Sequence, residues 1–285
     1  PENIDLSGYQ GDLTNDSRTI NNDINSGDIF CAIIGHVQDG RQYIDNAIAL
    51  GAKLVLSECE VAHQHGDIRF VQSGSTQVAV ISFYQLNKQL FQLASAYYQS
   101  PEKSLTMIGL TGTNGKTSTS QLLGQTLTSL EKPCAVIGTN GTGMVDDLQP
   151  LENTTPSATD LAQLFSVYSQ SKVETKDQSE QQITHLAMEV SSHALHQGRI
   201  NGNAFDIAVF TNLTRDHLDY HGSMEEYAAA KRQLFTHNNN QVAVLNGDDA
   251  QTEKWIKNWQ TPENLWLYGR RPPPTPRRAG RNGSA

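Results

Sequence analysis

The sequence lacks the features of a membrane protein and of a disulfide-stapled one. No apolar run among its 285 residues approaches the roughly 18 that a membrane-spanning helix needs. Residues 1–5 lack the charged and then apolar pattern of a secretory signal. The three cysteines, Cys31, Cys59 and Cys134, are far apart and form no CxxC pair, which argues against a disulfide framework or a zinc site. We therefore expect a cytoplasmic protein with reduced, buried thiols and no membrane insertion.

Basic charge is scarce outside the C-terminal tail. The net charge is −9, although the last 16 residues hold five arginines and no acidic residue. The acidic body would repel nucleic-acid phosphates, and no basic stripe with interleaved aromatic residues reverses that. We therefore expect no nucleic-acid partner.

Two segments have too few apolar side chains to add to a core. Residues 169–182 are polar without periodicity and predict a solvated loop or a frayed helix end. Residues 270–285 hold four of the ten prolines and no large apolar residue, which predicts a disordered tail. The abrupt onset of this tail after Gly269 favours a foreign or out-of-frame end, and a native flexible tail is the other interpretation.

The rest of the chain divides into two α/β blocks. In the first, residues 29–34 and 54–56 predict short strands, and residues 41–50 predict a helix that stops at Gly51. After a helical stretch at 85–98, apolar strands alternate with helices and end in polar loops. These later strands are predicted at 105–110, 183–188, 205–210 and 242–245.

Such alternation predicts a mostly parallel sheet with ligands at the carboxyl ends of its strands. We therefore expect an α/β protein whose small first domain covers residues 1–86. A central nucleotide-binding domain would cover residues 87–269. The tail would cover residues 270–285.

A glycine-rich loop follows the first strand of the second block. Residues 111–118 read Thr-Gly-Thr-Asn-Gly-Lys-Thr-Ser and lead into a helix with leucines at helical spacing, namely Leu122, Leu123, Leu127 and Leu130. Glycines let backbone N–H groups close around a phosphate, and a helix N-terminus adds a favourable field. The predicted phosphate site comprises Gly112, Thr113, Asn114, Gly115, Lys116, Thr117 and Ser118. Lys116 would lie on the β- and γ-phosphates, and Thr117 would bind Mg²⁺.

The loop departs from the generic GxxxxGK[ST] pattern, because Leu110 occupies the first glycine position. A glycine turn beside an exposed lysine is the alternative interpretation. The sequence Thr-Gly-Thr-Asn-Gly-Lys-Thr nevertheless resembles the loop of Mur ligases and of the related folylpolyglutamate synthetases. That resemblance implies that a carboxylate is activated as an acyl phosphate, which an amine then attacks.

Two further polar segments follow strands of the second block. Glu189, in the segment 188–193, stands at a strand end, where a carboxylate suits either Mg²⁺ or the cap of the next helix. The segment 211–221 is too dense in polar groups to be explained by packing. Together they resemble the tripeptide-forming Mur ligases, and this resemblance implies that His217 is a metal ligand.

Lys231 lies on a helix predicted to begin at Ser223, with Glu226 completing a capping box. Tyr227, Lys231 and Leu234 share one face, so the amine is either partly buried or snorkels to water. The Tyr-x-x-x-Lys pattern resembles the element in which Mur ligases carry a carbamylated lysine. The resemblance implies a metal site of Thr117, Glu189, His217 and carbamylated Lys231, and a catalytic set of Lys116, Lys231 and His217.

The first block resembles the UDP-binding domain of the same ligase type through its segments 15–18, 27–30 and 35–40. The resemblance runs over residues 11–269 and implies substrate contacts at Asn15, Ser17, His36, Val37, Gln38, Asn153, Thr154, Thr155, Ser191, Gln197 and Arg199. The forked guanidinium of Arg199 suits a carboxylate or a phosphate. Asn246 and Asp249 resemble the base and ribose end of the nucleotide site.

The implied reaction adds meso-diaminopimelate or L-lysine to UDP-N-acetylmuramoyl-L-alanyl-D-glutamate with ATP and Mg²⁺, in peptidoglycan synthesis. We expect a monomer. Relative to the family pattern, we expect the amino-acid-holding third domain and the last strands of the nucleotide domain to be missing, so the amino acid and turnover stay open. Two alternatives also stay open: a fragment that binds the UDP substrate without ligation, and another P-loop enzyme such as a small-molecule kinase.

Overall fold

A computed structural model describes residues 6, 8–20, 27–174, 179–203, 205–236, 242–257 and 264–270. Over these ranges the chain forms two mainly parallel sheets flanked by helices, which confirms the predicted α/β class. The predicted disordered tail, apart from Arg270, lies outside the described residues.

The first sheet has five strands in the order β1-β2-β3-β5-β4, parallel except for the antiparallel pair β4-β5. These strands are β1 (Leu13–Thr14), β2 (Ile29–Ala32), β3 (Leu54–Cys59), β4 (Ile68–Ser73) and β5 (Thr76–Tyr84). Helix α1 (Ile44–Leu50) ends at Gly51, which has a φ of 117° and accounts for the predicted stop.

The two faces of the first sheet meet different helices because side chains alternate along a strand. On β3, Val55 packs in a cluster with Ile44 and Ile48 of α1. Leu54 and Leu56 instead belong to the cluster that contains helix α2 (Leu86–Tyr97).

The second sheet has eight strands in the order β15-β14-β13-β6-β12-β7-β8-β9, of which the first six run parallel. These are β6 (Thr106–Thr111), β7 (Cys134–Gly138), β8 (Gly141–Met144), β9 (Asp147–Gln149), β12 (His185–Glu189), β13 (Ile207–Phe210), β14 (Val242–Asn246) and β15 (Leu265–Tyr268); β10 (Lys172–Glu174) and β11 (Glu180–Gln182) form a separate hairpin. The helices are α3 (Lys116–Ser129), α4 (Ala158–Gln170), α5 (Ser192–His196), α6 (Leu218–His221), α7 (Met224–Thr236) and α8 (Ala250–Lys257).

The polar segment 169–182 does not form the predicted loop or frayed helix end. Helix α4 continues to Gln170, and β10 and β11 pair antiparallel around residues 175–178, which lie outside the described part of the chain. Backbone pairing orders the two strands, and Val173 packs against the core without a periodic apolar pattern around it, so a search for apolar periodicity could not detect the hairpin.

Helix α3 confirms the predicted helix but not a buried stripe formed by its four leucines. Leu122 and Leu130 are 61% and 64% exposed, whereas Ser120 and Gly124 are buried. A Cβ on Gly124 would lie 2.8 Å from Val145 and 2.9 Å from Val136. The helix therefore approaches the sheet through its small residues, with Leu123 and Leu127 beside them.

Helix α2 joins the two sheets into a shared core. Its residues Leu86, Leu90 and Phe91 belong to the cluster that also holds Phe165 of α4, and the rings of Phe91 and Phe165 lie 6.0 Å apart. The predicted domain boundary at 86/87 falls at the start of this shared helix and stays a prediction.

Two smaller predictions bear on the class of protein. The three cysteines are buried and free, as expected. Within the described ranges, no helix combines the length and apolarity needed to cross a membrane.

Candidate active site

The glycine-rich loop lies at the carboxyl end of β6, beside the loop that follows β13. Gly112 has a φ of 148°, and a Cβ there would lie 1.9 Å from Thr211 Oγ1, so the close contact requires glycine. Gly115, with a φ of 85°, turns the chain into α3. The strand, turn and helix expected of a phosphate loop are therefore present.

The backbone N–H groups of the loop fall into two sets. The N–H groups of the first helical turn, from Gly115 to Ser118, have no intrahelical acceptor and suit an anion. Thr113 N–H instead donates to Asn212 O at 2.8 Å, and Asn114 N–H donates to Asn212 Oδ1 at 3.0 Å. Phosphate binding by Thr113 and Asn114 stays a prediction, since Asn212 engages their N–H groups.

Two lysines meet at one carbonyl group of this loop. Lys116 Nζ donates to Gly112 O at 2.9 Å and to Thr113 O at 3.0 Å, and Lys231 Nζ donates to Gly112 O at 2.8 Å. Burial lowers the pKa of Lys116, while the charges of Glu189 and Asp216 raise it. Lys116 therefore interacts with both carboxylates near the carbonyl group where it meets Lys231.

Lys231 is buried, at 1% exposure, with its Nζ 4.4 Å from the centre of the Tyr227 ring. Snorkelling is therefore wrong for this side chain. Burial, with a further contribution from the charge of Lys116, lowers its pKa to about 7, against an opposing effect of Asp216. The predicted helix start also holds, since Ser223 Oγ accepts the N–H of Glu226 at 3.1 Å.

Glu189 is held at the end of β12, also at 1% exposure. Its Oε1 accepts the N–H of Thr139 at 2.9 Å, and a Cβ on Gly138 would lie 2.1 Å from that oxygen. The cap of α5 is Ser191, whose Oγ accepts the N–H of Ala194 at 3.1 Å, so the alternative role of Glu189 as helix cap is wrong.

His217 lies at the N-terminus of α6 within a group of histidines and tyrosines. Its ring centre lies 4.9 Å from that of His193 and 6.1 Å from that of Tyr227. His221 is buried against Ser192, and burial, followed by the charges of neighbouring histidines, lowers its pKa to about 4. Three side chains of this group were not predicted as site residues, namely His193, Tyr220 and His221. They lie in the polar segments 188–193 and 211–221.

These residues fit a magnesium ion bound mainly through oxygen. Mg²⁺ typically takes one or two carboxylates together with water and substrate phosphates. Glu189 offers a buried carboxylate and Thr117 a hydroxyl at the loop, and Lys231 fits such a site only after conversion to an anion. Within the described part of the chain, no group of three or more His, Cys, Asp or Glu residues is arranged to hold a metal by itself.

Four of the predicted substrate residues form one network beside Glu189. Thr155 Oγ1 donates to Glu189 O at 2.8 Å and accepts the N–H of Ser191 at 3.0 Å. Arg199 donates to Thr155 O and, through two nitrogens, to Gln197 Oε1 at 2.9 and 2.7 Å. Burial lowers the pKa of Arg199.

Two contacts join the first domain to residues close to this network in the chain. Asn15 Oδ1 accepts a hydrogen bond from Thr159 of α4 at 2.8 Å, and the ring of His36 lies 5.5 Å from that of His196. The His36 loop is tied down by the buried Glu58, whose Oε2 accepts the N–H of Ile34 at 2.7 Å.

The remaining predicted residues lie around these contacts. Thr154 Oγ1 is 3.1 Å from Thr139 Oγ1, and Gln38 Oε1 accepts a long hydrogen bond from Tyr43. Ser17 is buried, Val37 is 92% exposed and Asn153 is exposed.

Asn246 and Asp249 connect the loop after β14 to the loop after β13. Asn246 Nδ2 donates to Thr211 O at 2.8 Å, and Asp249 Oδ2 accepts the N–H of Leu213 at 2.8 Å. A cavity of about 690 Å³ opens beside Asp249, between α7 and α8.

Comparison with known proteins gives a consistent result. Residues 110–276 match the Mur ligase middle domain, and residues 13–98 match the catalytic domain of the Mur ligase family. A UDP-N-acetylmuramoyl-L-alanyl-D-glutamate--2,6-diaminopimelate ligase of Haemophilus influenzae (strain 86-028NP) is 44% identical over 82% of this chain and 45% of its own. The ligase of that name from Vibrio vulnificus (strain YJ016) is 42% identical over 94% of this chain and 50% of its own.

Solved structures agree with this. A UDP-N-acetylmuramoyl-L-alanyl-D-glutamate--2,6-diaminopimelate ligase superposes with a TM-score of 0.68 and 34% identity, over 92% of this chain and 48% of its own. MurF ligase from Thermotoga maritima, in complex with ADP, shares the fold at a TM-score of 0.54 and 20% identity, over 91% of this chain and 50% of its own. The chain spans about half the length of the curated relatives that it matches.

Proposed function

This chain belongs to the Mur ligase family, and from that premise we propose that it takes part in ATP-dependent ligation of an amino acid to UDP-N-acetylmuramoyl-L-alanyl-D-glutamate, a step of peptidoglycan synthesis. The amino acid proposed is diaminopimelate, which the names of the two curated relatives carry. The observation that carries the proposal is the meeting of Lys116 and Lys231 at Gly112 O, within the electrostatic reach of Glu189 and Asp216.

The proposed chemistry has two steps. The substrate carboxylate attacks the γ-phosphorus of ATP, so that an acyl phosphate forms and ADP leaves. The amine of the amino acid then attacks the acyl carbon and phosphate leaves. The first-turn N–H groups of α3 and the Lys116 ammonium would hold the phosphates in line for the first step.

The residues that would hold Mg²⁺ are Thr117, Glu189, His217 and carbamylated Lys231. When bound there, Mg²⁺ supplies positive charge against the oxygens of the transferring phosphoryl group. Lys231 would become anionic when its neutral amine forms an N–C bond with CO₂ and loses a proton. Burial supports that modification because it favours the neutral amine.

The UDP substrate is proposed to bind across both domains, residues 1–86 and 87–269. Contacts from Ser17 and His36 on one side and from Arg199 on the other would span it. Its acidic groups suit the guanidinium of Arg199. We propose that the chain acts as a monomer, which light scattering of the purified chain checks.

Calorimetry with Mg²⁺–ATP on the purified chain tests the nucleotide site. Wild type should bind, and Lys116→Ala should lose most of the affinity because the phosphates lose their cation. Equal ATP affinity in the two proteins would contradict the assignment of residues 111–118 as a phosphate loop. Binding of UDP-N-acetylmuramoyl-dipeptide to both proteins would show that the fold of the variant is intact.

The carbamate is tested separately with ¹³C-bicarbonate at mildly alkaline pH. A carbamate ¹³C resonance should appear for wild type and be missing for Lys231→Met. Its absence from wild type with Mg²⁺–ATP bound would contradict the modification.

The purified chain also tests the binding-only alternative. A binding-only fragment would hold the UDP substrate without releasing phosphate when diaminopimelate is added. The other alternative, a small-molecule kinase, is not favoured, because the chain matches the domains of the Mur ligase family.

A further inference from the structure

We infer that Asn212 is a positioning residue that fixes the phosphate loop against the loop carrying Asp216 and His217, an inference that rests on the proposed nucleotide site. Asn212 Oδ1 accepts the N–H of Asn114 at 3.0 Å, and Asn212 Nδ2 donates to Asn114 O at 3.0 Å. One side-chain amide therefore satisfies both backbone polar groups of a single loop residue. No substitution by another residue of similar size reproduces both bonds, because only an amide presents a donor and an acceptor side by side.

The amide belongs to a larger set of contacts between the two loops. Thr113 N–H donates to Asn212 O at 2.8 Å, and Thr211 Oγ1 donates to Asn114 O at 2.7 Å. Thr214 N–H donates to Thr113 Oγ1 at 3.0 Å, and Asn114 Nδ2 donates to Thr214 Oγ1 at 3.2 Å. These bonds extend the pairing of β6 with β13 beyond Phe210 and Thr111, where the ladder ends.

This arrangement divides the work within the phosphate loop. Residues Thr113 and Asn114 hold the loop in place. The N–H groups of residues 115–118, at the N-terminus of α3, are left for phosphate. Because Asn114 immediately precedes Gly115, fixing its backbone fixes the origin of that anion-binding turn. A loop that is already ordered pays less conformational entropy when ATP binds.

The same bonds set the distance between two parts of the proposed site. Asn212 lies five residues before His217 and four before Asp216, whose charge acts on both Lys116 and Lys231. The Asp216 carboxylate and the two lysine side chains therefore keep their arrangement only while the two loops stay together. Because Asn212 acts through Asn114, it is a positioning residue.

Amide hydrogen exchange by NMR, on the full 285-residue chain without nucleotide, tests the contact itself. In Asn212→Ala the Asn114 amide should exchange faster, because its acceptor is gone, whereas the Thr113 amide keeps the backbone acceptor Asn212 O. In Asn212→Asp the Asn114 amide should stay protected, because an acceptor oxygen remains. Unchanged Asn114 exchange in Asn212→Ala would overturn the inference whatever the protein binds.

Calorimetry with Mg²⁺–ATP tests the consequence. Losing both hydrogen bonds should weaken ATP binding about tenfold in Asn212→Ala, because the loop is then no longer ordered before the nucleotide binds. Gln89→Ala is the matched control, because Gln89 Nε2 also donates to a backbone carbonyl, Tyr84 O at 3.2 Å, but on helix α2 beside the first sheet. This control should leave ATP affinity unchanged.

The outcomes distinguish a failure of the proposed nucleotide site from a failure of the positioning role of Asn212. If wild type does not bind Mg²⁺–ATP, the proposed nucleotide site fails, and the functional part of this inference fails with it. If wild type binds and Asn212→Ala binds equally well, the nucleotide site stands and the positioning role is overturned. A tenfold loss of ATP affinity in Asn212→Ala that is not seen in Gln89→Ala, together with faster Asn114 exchange in Asn212→Ala, is the supporting result.

Discussion

Lys231 shows how far a single residue can depart from its usual environment. A lysine at 1% exposure loses most of its hydration, and here the partners that replace water are Gly112 O and the face of the Tyr227 ring. The neighbouring Lys116 adds repulsion, so the charged form is disfavoured in the folded chain. The fold therefore carries a stability cost at this position.

That cost has a defined pH dependence. The pKa of Lys231 is about 7 in the folded chain against an ordinary 10.5, so between these values the unfolded chain binds more protons. The stability contributed by this residue should therefore rise with pH from about 7 to about 10.5, by up to about 5 kcal/mol. Urea unfolding of wild type and Lys231→Met across this range checks it. A constant difference between the two proteins would contradict the shifted pKa.

Glu58 is a second buried charge, placed under the loop that holds His36. Burial raises its pKa, while the hydrogen bond from Ile34 N–H opposes that rise. Glu58→Ala should free the His36 loop and weaken binding of UDP-N-acetylmuramoyl-dipeptide several-fold, with ATP affinity unchanged. Glu58→Gln should weaken it less, because an acceptor oxygen remains for Ile34. Equal dipeptide affinity in Glu58→Ala, measured by calorimetry, would show that the loop does not contribute.

At the scale of elements, the six strands predicted by range, now β2, β3, β6, β12, β13 and β14, could be predicted because each has a local signal. The same holds for the glycine turn before α3 and for the start of α7. The loop needs two glycines, and the helix start needs Ser223. The packing face of α3 could not be predicted, since Gly124 is buried for its small size and leucines elsewhere on the helix stay exposed. The β10–β11 hairpin was missed because its two strands are mostly polar and show no alternation of apolar residues.

The site was predictable to a similar degree. The side chains expected to bind phosphate or metal, such as Lys116, Glu189 and His217, stand in recognisable segments. Asn212 lies in one of these segments too, but its role could not be predicted, because it depends on a neighbour about a hundred positions away in the chain.

Gly124 gives the test of the α3 interface. A valine there would place its side chain against Val136 and Val145, which a bare Cβ would already approach to 2.9 and 2.8 Å. We expect Gly124→Val to destabilise the fold by about 1–3 kcal/mol through overpacking, despite the better helix propensity of valine than of glycine. Chemical denaturation measures this. Gly74→Val is the control for replacing a glycine where no neighbouring atom is crowded. Gly74 lies at an exposed turn with open space around it, although its φ of 57° adds backbone strain to a valine there.

At the scale of the whole molecule, the two sheets are coupled by the core between α2 and α4. Phe91 and Phe165 are both buried and in ring contact, and the cluster around them includes side chains from both sheets. One sheet should therefore not unfold without exposing apolar surface of the other.

Phe165→Ala tests this coupling. Removing a buried ring should cost about 3–5 kcal/mol. Trp255 lies on α8 and Trp266 on β15, so their fluorescence reports the part of the molecule built around the second sheet, while circular dichroism reports both sheets. The two probes should give one coincident transition in wild type, and they should separate in Phe165→Ala if the shared core is what couples the sheets. Separate transitions already in wild type would contradict the coupling.

The strand order has a consequence for how the molecule is made. The strand β6 lies between β12 and β13, both of which are synthesised much later, and the bonds from Asn114 to Asn212 and Thr214 span about a hundred residues. While the chain is emerging, β6 has an apolar sequence and no permanent neighbour on either side. Such long-range pairing folds slowly and exposes strand edges in the meantime. The phosphate loop is therefore among the first parts of the second domain to leave the ribosome and among the last to acquire its shape.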